Sequence, residues 1–185
     1  MAIEYAAVVI TPDSIRDGLA DLILGDLESE AQAQVVFKKK WTVTSVEGVL
    51  SMYPRLLGKP SYAPVMRTMM SGECLVVILR GENLFARLPS IKGKMMFNVE
   101  YTDVEVTGLR FKYRNWDQED LLRLKNPSTQ PAALAKIFDY RLHTTDSVKE
   151  AANMCLLCMN DADLATLRDV APSLHAEAMR IAEES

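Results

Sequence analysis

At 185 residues, 49% hydrophobic and 25% charged, the chain carries enough apolar material for one packed core and too little charge bias for disorder. A net charge of −4 and a pI near 5.3 give no sign of a nucleic-acid binder, and no run approaches the ~18 apolar residues of a membrane span. Three cysteines, an odd and small number, suit a reducing cytoplasm, and the N-terminus lacks the basic start and long apolar run of a secretion signal.

The β-branched run Glu4–Thr11 predicts a buried strand, ended by the helix-start signal Pro12-Asp13-Ser14. Ile15, Leu19, Leu22, Ile23 and Leu27 then share one helical face. A second strand is expected from Gln32 to Thr44, with Lys38-Lys39-Lys40 as a solvated edge rather than a polyanion site. Ser45 caps a helix over Val46–Gly58, and Ser61–Gly72 is another helical piece closed by its glycine. Cys74–Arg80 is the clearest buried strand. The helix after it is expected to stop near Pro89.

The pattern changes after Lys94. Alternating stretches around Thr107-Gly108 predict an inserted β-hairpin bending at Gly108, followed by a short helix near Asp117–Lys125 and a loop at Asn126–Pro131. A strand before His143, a helix from Ser147 to Met159 and a second helix from Asp161 to Glu184, broken at Pro172, complete the chain. This order predicts an α/β sandwich whose sheet is antiparallel or mixed, because strands and helices do not alternate regularly enough for a doubly wound parallel sheet. Cys155 and Cys158 form a C-x-x-C inside an apolar helix face. With no second ligand pair they read as buried thiols rather than a zinc site.

The familiar phosphate cradles are absent: there is no G-x-x-x-x-G-K-[ST], since Tyr53 stands where Gly58-Lys59-Pro60-Ser61 would need an opening glycine, and no G-x-G-x-x-G. That leaves His143 as the candidate nucleophile. "HTTDSVKE" can be read as ordinary helix capping, with Ser147 and Glu150 forming an S-x-x-E box beside Asp146. It can equally be read as a histidine beside a helix N-terminus, where a phosphate can be held.

Three stretches, "VVITPDSIRDGLADLI", "MSGECLVVILRGENLFARL" and "LHTTDSVKEA", resemble nucleoside diphosphate kinases in order and separation. That family reads approximately K-P-D-x-x-x-x-G-L, then M-S-G with an apolar strand and E-G-x-N, then N-x-x-H-G-S-D-S. Pro12, Asp13, Gly18 and Leu19 match the first motif. Met70, Ser71, Gly72, Gly81 and Asn83 match the second, and His143, Asp146 and Ser147 the third. The resemblance covers about residues 3–94 and 132–158. It implies a ferredoxin-like domain over 1–160, interrupted by an insertion at about 95–131, with 161–185 as a C-terminal helical extension.

The resemblance further implies ping-pong transfer of a γ-phosphate from a nucleoside triphosphate to a nucleoside diphosphate through a phosphohistidine at His143. Mg²⁺ would enter on the nucleotide phosphates with no protein-built metal site, and the assembly would be a homo-oligomer built from dimers, with no nucleic acid or membrane partner. Asp13, Asp146 and Ser147 would support the site. Much of the family's phosphate clamp is replaced: Thr11 stands for a lysine, Ser61 for the base-stacking aromatic, Tyr140 for an asparagine, Met154 for the glutamate that orients the histidine, and the G-T-I-R arginine aligns with Ala135. Tyr53, Lys59, Tyr62, Arg87, Lys92 and Lys136 are the expected nucleotide and phosphate contacts. The alternative is a catalytically silent nucleotide-sensing or assembly domain, using residues 95–131 and 161–184 as interaction surfaces.

Overall fold

The computed structural model describes residues 2–138 and 140–184; Met1, Asp139 and Ser185 lie outside the described residues. In chain order the elements are β1 Ile3–Ile10, α1 Pro12–Arg16, α2 Ala20–Ala31, β2 Gln34–Thr42, α3 Val46–Met52, α4 Tyr62–Met69, β3 Glu73–Glu82 and α5 Leu84–Lys92. There follow β4 Met95–Phe97, β5 Val104–Val106, α6 Gly108–Lys112, α7 Gln118–Arg123, α8 Gln130–Ile137 and β6 Leu142–Thr144. Helices α9 Val148–Cys158, α10 Asp161–Val170 and α11 Pro172–Glu184 end the described chain.

The main sheet has the order β2-β3-β1-β6 and is antiparallel at every pairing. Each helical crossover skips one strand, which is the ferredoxin-like arrangement expected. Strands β1 and β3 lie in the middle and are covered on both faces. That is why Ala6–Ile10 and Val76–Leu79 are continuous apolar runs with no solvent-facing alternation. Ala7, Val9, Val76 and Ile78 face a core closed by α3, α4, α9, α10 and α11. Ala6, Val8, Ile10, Val77 and Leu79 face a second core closed by α2, α5 and α6. The C-terminal helices enter the first core through Leu167, Leu174 and Ala178, and a Lys39–Asp163 ion pair ties α10 to β2.

Local structure departs from expectation at several points. The helical face from Ile15 to Leu27 is divided between α1 and α2 by Gly18, whose φ of 71° no helix accepts. The helix begun at Val46 ends at Met52, short of Pro54, which cannot supply the next amide. Helix α4 is capped at Met70 rather than closed by Gly72. Helix α5 runs through Pro89 to Lys92, because Leu84 and Leu88 are fully buried in the second core and hold its axis there. The inserted hairpin exists, but it turns between Phe97 and Val104, and Gly108 instead starts α6. A small third core, built on Trp116, Leu124, Ala133 and Ile137, joins the segment after β5 to α8.

Candidate functional site

His143 sits in the middle of β6, paired with Val9 of β1. Only three residues of β6 join the ladder, because Thr145 plugs into β1 with its side chain. Its hydroxyl donates to the Ala7 carbonyl (3.1 Å) and accepts from the Ala7 amide (3.0 Å). The chain then turns directly into α9, where the Ser147 hydroxyl accepts from the Glu150 amide at 3.2 Å. The reciprocal bond of the expected capping box is displaced by one residue: Glu150 Oε2 accepts from the Asp146 amide at 2.7 Å. This end of β6 holds the half-buried imidazole between two cavities.

The larger cavity, about 540 Å³, is bounded by Tyr53, Arg55, Ser61, Tyr140, Asp146 and Glu150 together with His143. The other, about 380 Å³, is bounded by Ser51, Thr145, Lys149, Asn153 and Met154, again with His143. Tyr53 meets the imidazole edge-on, with ring centroids 4.7 Å apart, and Tyr140 stacks on Tyr53 at 6.1 Å. The Tyr53 hydroxyl is buried without a hydrogen-bond partner, and burial pushes its pKa up.

Two cations act on the imidazole. Lys92, buried at the end of α5, donates to Asp146 Oδ1 at 3.3 Å and to the Thr144 carbonyl at 3.5 Å. Arg110, on α6, lies 4.8 Å over the Tyr140 ring and donates to the Gly93 carbonyl at 3.3 Å. Burial first, then the charges of Lys92 and Arg110, pull the His143 pKa down to about 3. The imidazole is therefore neutral at physiological pH, the state in which a ring nitrogen can act as a nucleophile. Burial and Arg110 also hold the Lys92 ammonium below its ordinary pKa, against the opposing pull of Asp146.

The structure sorts the expected contacts. Tyr53, Lys92, Asp146 and Ser147 come together around His143. Arg87 does not line either cavity; it bonds the Glu30 carbonyl (2.9 Å) and Gln32 (3.4 Å) and ties α5 to the end of α2. Lys136, on α8, pairs with buried Asp120 of α7. Lys59 is exposed in the turn before α4, and Tyr62 packs on the first core, so the helix that starts there brings Ser61 into the wall instead. Asp13 pairs with Arg16 and accepts from Thr68 at 3.3 Å, bracing α1 against α4. Arg110 and Arg55 are cations that sequence reading did not single out. The signal for Arg110 was the string Thr107-Gly108-Leu109-Arg110, closer to G-T-I-R than anything around Ala135.

Residues 4–123 match the nucleoside diphosphate kinase family model, nearly two thirds of the chain. The chain belongs to the nucleoside diphosphate kinase family. The matched stretch includes Lys92 and Arg110 and ends before His143. A nucleoside diphosphate kinase of Anaeromyxobacter dehalogenans is 29% identical over 94 residues, covering 50% of this chain and 62% of that protein. One of Brucella anthropi is 30% identical over 94 residues, covering 50% and 65%. The chain thus spans less than two thirds of the length of these curated relatives.

Among solved structures, a nucleoside diphosphate kinase of Aquifex aeolicus superposes with a TM-score of 0.55 at 19% identity, over 88% of this chain and 99% of that one. One from Pyrobaculum aerophilum gives 0.58 at 16% identity, over 88% and 98%. These two share the nucleoside diphosphate kinase fold with this chain. Among the described residues no helix is long and apolar enough to cross a membrane.

Proposed function

We propose that this chain is a nucleoside diphosphate kinase-type phosphotransferase in which His143 takes the γ-phosphate of a nucleoside triphosphate and passes it to a nucleoside diphosphate. The observation that carries this reading is a neutral imidazole in the wall of two cavities with two cations, Lys92 and Arg110, acting on it. Phosphoryl transfer needs positioning and positive charge more than covalent assistance, and the charges of Lys92 and Arg110 reach the imidazole although neither side chain lines either cavity. Arg55, in the wall of the larger cavity, adds a third.

In this reading Mg²⁺ would enter on the nucleotide's own phosphate oxygens, where it would offset charge during in-line transfer. Homo-oligomers built from dimers and a reducing, cytoplasmic setting for the three free thiols complete the proposal. Light scattering that finds only monomer at micromolar concentration counts against the assembly.

One observation favours a silent nucleotide-binding domain instead: Met154 stands in the wall of the smaller cavity at the position where the family motif has the histidine-orienting glutamate, and the carboxylate in that wall is Glu150, which is bonded to the Asp146 amide. The test is incubation with γ-labelled ATP and Mg²⁺. An acid-labile, alkali-stable label lost in His143→Ala supports transfer. Nucleotide binding without label supports the silent domain.

A further inference from the structure

The asparagine that the family motif places three residues before the histidine is Tyr140 here. Its ring is the middle of a continuous layer. Arg110 lies over one part of it at 4.8 Å, Tyr53 stacks on it with an interplanar angle of 21°, and Tyr53 in turn meets His143 edge-on. Phe138 packs against its edge at 6.2 Å, and Ser61 lines the same cavity wall. The ring is therefore fixed from several sides. Arg110 has no carboxylate partner among the described residues; its contacts are the Tyr140 face and the Gly93 carbonyl, and its Nε is buried without an acceptor.

We propose that Tyr140 is a positioning residue for nucleotide binding, holding the Arg110 guanidinium toward the His143 cavity through its π face. A carboxylate in the same place would also fix an arginine, but it would cancel the charge that a polyphosphate needs. A ring face fixes the cation while leaving that charge and its unused N–H donors free. This inference rests on the nucleotide-binding part of the reading above, not on phosphotransfer itself.

The test is a double-mutant cycle read by calorimetry with ADP on the full chain. Arg110→Ala and Tyr140→Leu are each expected to weaken ADP about tenfold. The double variant should be no weaker than Arg110→Ala alone, because Tyr140 acts through the guanidinium. Tyr140→Phe should recover most of what Tyr140→Leu loses, and Arg110→Lys, which keeps charge without a planar fork, should recover little. A merely structural tyrosine would give losses that multiply in the double variant, and that result overturns the proposal. Should Tyr140→Leu fail to fold, Arg110→Lys binding ADP like the wild type overturns it instead. A wild type that binds ADP with the expected coupling yet takes no label from ATP removes the phosphotransferase reading and leaves this one standing. A labelled wild type with no coupling does the reverse. A wild type that binds no ADP removes both.

Discussion

Tyr53 presents its ring to His143 edge-on, 4.7 Å between centroids and 65° between planes, at the point where α3 ends and β6 passes. Burial of the imidazole is the first cause that keeps it uncharged, and Tyr53 is one of the groups packed against it. A protonated ring would have to keep its charge there with little water around it and against two neighbouring cations.

The pH dependence follows from that. The folded pKa of His143, about 3, lies below the ordinary 6.5, so between those values the unfolded chain binds a proton that the folded chain refuses. The stability contribution is complete above the ordinary value and is lost as pH falls from it toward the folded one. Urea melts should show the wild type losing stability over this window, and His143→Gln losing less. By the same logic, label transfer from ATP should stay flat between pH ~7.5 and ~5, with no break at the usual histidine pKa.

Lys92 and Asp146 should separate binding from stability. The lysine side chain is 11% exposed and the aspartate 57%, so their pair is screened on one side and contributes under about 1 kcal/mol. Lys92→Met should leave the melting midpoint nearly unchanged, because a buried charge is exchanged for an apolar chain of similar length. Its affinity for ADP should fall about tenfold. Asp146→Asn should tighten ADP modestly by removing a negative charge facing the phosphates. Calorimetry and urea melts on both variants read the difference.

Lys136 should prove a residue that stabilises the packing of α7 on α8 and not a phosphate contact. Burial tends to raise the Asp120 pKa, but hydrogen bonds from Lys136 and the Asp117 amide, with the charges of Lys136 and Arg123, hold it below the ordinary value. The carboxyl side chain is 3% exposed, so Asp120→Ala should cost on the order of 3 kcal/mol by leaving the small core and its lysine unsupported. Lys136→Ala should cost about 1 kcal/mol and leave ADP affinity intact; a tenfold loss of affinity would return Lys136 to the site. The Asp120 contribution is present above the ordinary carboxylate pKa and is lost as pH falls below it.

Gly93 should tolerate no side chain. Its φ is 85°, and a Cβ there would run into the Thr107 carbonyl, where the end of α5 crosses the start of α6. Gly93→Ala must push α6 away and carry Arg110 with it. A loss of several-fold in ADP affinity, together with a melting midpoint lowered by more than about 2 kcal/mol equivalent, is expected. An alanine variant indistinguishable from wild type in both would mean that this crossing does not position Arg110.

The sequence by itself determined the fold and the nucleophile candidate. Strands buried on both faces must be continuous apolar runs, so β1 and β3 announce themselves locally. Capping at Ser147 is also local chemistry, written within four residues. Arg87 and Lys92 are five residues apart, roughly 140° around α5, and cannot both face His143. Which of them does, only the packing of α5 against β6 decided. The same holds for Lys136, claimed by an aspartate sixteen residues away, and for Arg110, brought over Tyr140 from thirty residues earlier in the chain. A long basic side chain can reach partners in many directions, and its charge goes wherever the nearest unmatched group is brought by contacts remote in sequence. Tertiary structure alone fixes that choice.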